Sequence, residues 1–140
     1  MGFTILIVDD SAVMRRIIRR VLSVTGINFR EVLEAGNGTE ALEIMNSRPV
    51  DIVLADLNIP VMSGGELIAA MRRTESLSKI PVIVVSTEGR SERIEELRSL
   101  GVHGYVKKPF APEEIAHVIC ETLGVKADGR FVEEPQDSDF

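Results

Sequence analysis

Five times along the chain a short aliphatic run is followed by a longer stretch of helical period, and the pattern stops near Gly124. Alternation of this kind leaves few folds open, because strands separated by helices pair in parallel through crossovers that bury both sheet faces. The expected strands are Thr4 to Val8, Phe29 to Ala35, Asp51 to Ala55, Pro81 to Ser86 and Gly104 to Lys107. Three of them are almost wholly aliphatic, as central parallel strands must be.

The first helix follows from Val13, Met14, Ile17, Ile18, Val21 and Leu22, spaced at three and four with Arg15, Arg16, Arg19 and Arg20 on the other face and Gly26 as its stop. Later helices are expected at Thr39 to Ser47, Gly65 to Glu75, Ser91 to Leu100 and Pro112 to Leu123, with Pro112 in a first turn. Right-handed crossovers then favour an α/β fold: one five-stranded parallel sheet of order 2-1-3-4-5, helices on both faces, doubly wound in the flavodoxin-like manner. Residues 1–123 form this domain and residues 124–140 an acidic tail, with Phe131 and Phe140 as its candidate docking residues.

Composition narrows the function. Sixteen basic against 22 acidic side chains give a net charge of -6, which repels a phosphate backbone and argues against nucleic acid as partner. No apolar run reaches the ~20 residues of a membrane span, and the N-terminal segment lacks a secretory pattern. Met1-Gly2 opens like a myristoylation site, but Leu6 stands where Ser or Thr is required. The lone Cys120 sits in an apolar helical pattern and reads as a small buried hydrophobe in a reducing compartment. A soluble, cytoplasmic protein is expected.

In the expected sheet, ligands bind beyond the carboxyl ends of the first and third strands, where the winding direction reverses. Asp9 and Asp10 end the first strand there and Asp56 ends the third. At about 4 Å and an effective dielectric of about 20, each pair of ionised carboxylates costs about 4 kcal/mol, so a cation is expected among them. Mg²⁺ suits two or three carboxylates and a backbone carbonyl, which Asn58 is near enough to supply. Capping of the first helix by Asp9 or Asp10, or a turn begun by Asp56, explains one acid but hardly all three. Lys108 follows the fifth strand and Ser86 ends the fourth, adding an ammonium and a hydroxyl to the rim. A nucleophilic carboxylate, a divalent ion, a lysine and a hydroxyl together suit phosphoryl transfer.

These residues carry a resemblance to the receiver domains of bacterial two-component response regulators, from about Phe3 to Leu123: Asp9-Asp10, DLNIPVMSGGEL from Asp56, VVST ending at Thr87, and GYVKKPF from Gly104. The resemblance implies that Asp56 takes a phosphoryl group from a sensor histidine kinase or phosphotransfer domain. Asp10, Asp56 and the Asn58 carbonyl would bind Mg²⁺ directly, with Asp9 nearby or through water. Lys108 would pair with phosphorylated Asp56, while Ser86 and the Thr87 amide contact phosphoryl oxygens. Ser86 and Tyr105 would form the switch, Tyr105 turning inward as Ser86 moves. Glu88 and Asn58 fall where the family adjusts access of the hydrolytic water. The downstream protein would dock on the fourth helix, fifth strand and fifth helix, the chain acting as a monomer or phosphorylation-dependent dimer. DDSAVMRRII most resembles stand-alone chemotaxis-type receivers.

Three rival readings are weaker. GNGTEA at Gly36 to Ala41 matches a loose dinucleotide fingerprint, but it follows the second strand and reads as a glycine turn into the second helix. A Mg²⁺-dependent phosphohydrolase with an aspartyl-phosphate intermediate would want a proton donor two residues after its nucleophile. Asn58 stands there instead, so a signalling receiver rather than an enzyme is expected. A pseudo-receiver that binds partners without phosphorylation would not need the full set of site residues.

Overall fold

The computed structural model describes residues 2–125; the expected acidic tail, with Phe131 and Phe140, lies outside the described residues. The elements are β1 (Phe3–Val8), α1 (Ala12–Ser23), β2 (Phe29–Ala35), α2 (Gly38–Ser47), β3 (Ile52–Ala55), α3 (Gly64–Arg73), β4 (Val82–Ser86), α4 (Ser91–Ser99), β5 (Gly104–Lys107) and α5 (Pro112–Leu123). All strand pairs are parallel, in the order β2-β1-β3-β4-β5, as the alternation requires.

Side chains alternate across the central strands and divide the interior in two. Leu6, Val8, Val53, Val82 and Val84 pack against Met45 of α2, Leu67 and Met71 of α3 and Leu97 of α4. Ile5, Ile7, Ile52, Leu54 and Ile83 pack on the other face against Ile18 and Leu22 of α1 and Ile115 and Ile119 of α5. Cys120 is buried in this second layer, as the apolar pattern requires.

Several boundaries differ from the sequence reading. Asp51 and Pro81 precede their strands rather than start them. The third helix ends at Arg73, and Glu75–Leu77 form a separate 3₁₀ turn. Helix α1 ends at Ser23, three residues before Gly26, whose φ of 84° turns the chain. Only part of the apolar arc of α1 meets the sheet: Ile18, Val21 and Leu22 are buried, whereas Val13 and Ile17 are 59% and 44% exposed. The apolar arc is wider than the contact α1 makes.

Local capping accounts for the helix starts. Ser11 caps α1 by accepting from the Met14 amide, and Asn37 caps α2 by accepting from the Glu40 amide, so the Gly36 segment is a helix entry. Ser63 and Glu66 exchange reciprocal bonds at the start of α3. Pro112 occupies the first turn of α5, and the Ala111 amide donates to the Glu114 carboxylate.

Candidate functional site

The parallel ladders continue one residue beyond the strands and thereby place the site. The Asp9 amide donates to the Ala35 carbonyl (3.1 Å), the Asp56 amide to Val8 (2.9 Å) and the Lys108 amide to Ser86 (2.9 Å). Each residue is thus anchored by backbone to the end of the neighbouring strand before its side chain makes any contact.

Between the ends of β1, β3 and β5 the Lys108 ammonium lies 2.9 Å from Asp9 Oδ2 and 3.0 Å from Asp56 Oδ2. All three side chains are nearly buried, at 14%, 3% and 10% exposure. Burial pulls the lysine pKa down, but the hydrogen bonds and charges of the two aspartates outweigh it and hold Lys108 above its ordinary value. The other carboxylate oxygens accept backbone bonds, Asp9 Oδ1 from the Ser11 amide and Asp56 Oδ1 from the Asn58 amide.

Two of the three expected carboxylates, Asp9 and Asp56, are joined by Lys108, while Asp10 beside them is exposed. Among the described residues no three His, Cys, Asp or Glu side chains form a group that could hold a metal ion. Lys108 is the cation between the two inward acids. The donor chemistry still fits a hard divalent ion: Asp9, Asp10, Asp56 and the Asn58 carbonyl offer only oxygen, and each carboxylate retains lone pairs beyond its present bonds.

Ser86 ends β4 as expected and is fully buried there, and its Oγ accepts from the Glu88 amide (3.3 Å), closing the turn from β4 to α4. Thr87 is exposed beside it. Arg90 clasps the Glu88 carboxylate through side-chain and backbone donors and holds its pKa down at about 2. The Tyr105 hydroxyl is already buried and has no hydrogen-bond partner among the described residues. Burial, then the charges of Glu88 and Asp56, raise its pKa, so it stays a neutral phenol.

Two supporting residues escaped the sequence reading. Arg15, assigned there to the outer polar face, donates to the Asp9 carbonyl (2.5 Å) and to Glu34 (2.7 Å), tying the β1 end to β2. An acid on the neighbouring edge strand was the available signal. Gly64 lets the start of α3 approach the β3 end: a Cβ there would lie 2.3 Å from the Asp56 carbonyl oxygen. The glycine pair before the helical period marked the place.

Residues 5–120 match the response regulator receiver domain family. The chain is 41% identical over 115 residues to the chemotaxis protein CheY of Pseudomonas aeruginosa, covering 82% of this chain and 91% of that one. The structure of the chemotaxis response regulator CheY4 of Vibrio cholerae superposes with a TM-score of 0.73 at 31% identity, over 89% of this chain and 98% of that one. A sensor histidine kinase receiver domain from Pseudomonas aeruginosa, solved with magnesium coordinated in its active site cleft, gives a TM-score of 0.77 at 25% identity over 89% and 99%. By sequence and by fold, the chain belongs to the response regulator receiver domains and is a CheY-like, phosphorylation-activated signalling switch.

Proposed function

We propose that Asp56 is the phosphoryl acceptor of this receiver and that a Mg²⁺ ion is held by Asp9, Asp10, Asp56 and the Asn58 carbonyl. The observation that carries this reading is the Lys108 ammonium bridging two nearly buried carboxylates at the strand ends. When bound, the ion would neutralise charge on the transferring group. The Asp56 carboxylate supplies the electron pair for the new O–P bond, while the P–N bond of a donor phosphohistidine breaks and its electrons remain on the imidazole. Lys108 stays beside the modified carboxylate and pairs with the added oxygens.

Ser86 and the Thr87 amide would donate to those oxygens. Any movement of the Ser86 hydroxyl acts directly on the β4–α4 turn, because that hydroxyl holds the Glu88 amide. Reversing a 1:99 population requires about 5.5 kcal/mol, more than one contact provides, so Ser86, Thr87, Lys108 and the ion act together. The output surface is α4, β5 and α5, with Tyr105 beneath it.

The upstream partner in this reading is a sensor histidine kinase or phosphotransfer domain, and the 36–41% identity to chemotaxis proteins favours a chemotaxis pathway. Residues 1–123 act as the receiver and 124–140 as an appended tail, in the cytoplasm; no helix among the described residues is long and apolar enough to cross a membrane. The chain assists only its own phosphorylation and dephosphorylation, and Asn58, lacking a transferable proton, favours a lasting switch over turnover. Incubation with acetyl phosphate and Mg²⁺ should add one phosphoryl mass to the chain but none to Asp56→Asn. Equal labelling of the variant would overturn the assignment.

A further inference from the structure

We propose that residues 131–140 of this chain dock into the basic groove between the C-terminal half of α1 and β2. The groove has a volume of about 690 Å³, an apolar floor that includes Leu22, Ile27 and Val32, and a rim bearing Arg16, Arg19 and Arg20. It lies at the opposite end of the sheet from the phosphorylation site, so the signalling chemistry leaves it unused.

The charge on its rim is only partly answered. Arg19 bonds Glu34 and the Val32 carbonyl, and Glu34 is shared with Arg15. Arg16 and Arg20 are exposed and make no side-chain ion pair among the described residues. The groove therefore presents two free guanidinium groups above an aliphatic surface, which suits an acidic segment with aromatic or aliphatic anchors.

Residues 131–140 have that composition: Glu133, Glu134, Asp137 and Asp139 with no basic residue, flanked by Phe131 and Phe140. The path is short. Helix α5 packs on the same sheet face as α1, and Val125, two residues beyond the helix, packs against the buried cluster that also supports Phe29 and Val32. Residues 126–130 span up to about 17 Å extended, enough to pass a helix about 10 Å across. Effective concentration favours this segment over a free acidic peptide of equal affinity.

The test uses the full chain. With methyl groups labelled, NOEs from the Phe131 or Phe140 ring to methyls of Leu22, Ile27 or Val32 are expected at low ionic strength, weakening as salt is raised. They should vanish in Arg16→Glu/Arg20→Glu, whose altered side chains are exposed and unpaired; persistence there would overturn the charge-driven docking. Absence of these NOEs in the unaltered chain at low salt, or their appearance on another face, would overturn the proposal outright. So would NOEs seen only between differently labelled copies, which would make the occupant a second molecule.

Discussion

Replacing Lys108 by methionine keeps an unbranched stem and removes the ammonium group that joins Asp9 to Asp56. Because both oxygens lie within 3.0 Å of Nζ, the two carboxylates are no more than about 6 Å apart. At an effective dielectric of about 20 their repulsion is about 3 kcal/mol, and breaking a buried pair by removing one partner costs about 3–5 kcal/mol. The variant should lose stability within that range at neutral pH. It should lose activity too, but the stability change tests the geometry alone.

The pH dependence carries the sign. In the unaltered protein Lys108 is held above its ordinary pKa, so its contribution is fully present below about pH 10.4 and is lost only as pH rises through the higher folded value. In Lys108→Met that contribution is absent at every pH, so the deficit against the unaltered protein is full at neutral pH and shrinks as pH rises above the ordinary lysine value. Urea denaturation of both proteins at about pH 7.5 and about pH 11 measures this. A deficit that stays constant or grows at the higher pH would show that Asp9 and Asp56 do not share Lys108, and would refute the reasoning.

Two other substitutions probe the support of the site. In Gly64→Ala the new methyl meets the Asp56 carbonyl at 2.3 Å and Leu57 Cα at 2.7 Å, so a loss of at least about 1–3 kcal/mol is expected in thermal melts, with slower labelling by acetyl phosphate. Val61 has φ 69° while the Met62 amide donates to the Pro60 carbonyl across it, a γ-turn strained for a β-branched residue. It is 80% exposed, so Val61→Gly should stabilise the fold by about 0.5–1 kcal/mol in urea melts, the released strain exceeding the added chain entropy.

The sheet was legible because its central strands are buried on both faces: Ile5, Leu6 and Ile7 are fully enclosed, and an unbroken aliphatic run is the only sequence that such a position accepts. The ends of the central strands were legible too, since the aliphatic runs of β1 and β3 give way at once to an acid, Asp9 and Asp56. Side-chain direction was less accessible. Three acids at two strand ends read as one cluster, but their order does not show that Asp9 is buried against Lys108 while Asp10 stays exposed. Val13 and Ile17 show a related limit: helical period locates an apolar arc without saying how much of it a neighbour covers. Val61 was hidden altogether, because its side chain is among the least suited to a positive φ, and only the tertiary placement of its loop imposes one.

Tyr105 joins these threads to the switch. A phenol hydroxyl withdrawn from water without a partner costs about 1–3 kcal/mol, and no packed core retains that cost unless something else holds the ring in place. The aromatic body, packed against the cluster containing Leu97, supplies the holding, while the hydroxyl is left over. Tyr105→Phe should therefore be neutral or stabilising by about 1 kcal/mol in the unphosphorylated protein, measured by urea denaturation, since it deletes the unpaired group and keeps the packing. With Asp56 as the proposed acceptor, phosphorylation would add about 1.5–2 negative charges near a hydroxyl already held neutral by burial and by Glu88 and Asp56. If Tyr105 finds a hydrogen-bond partner only in that state, phosphorylation should stabilise the unaltered chain more than Tyr105→Phe. A destabilised phenylalanine variant, or equal stabilisation of both by phosphorylation, would remove the hydroxyl from the switch and leave the ring as packing.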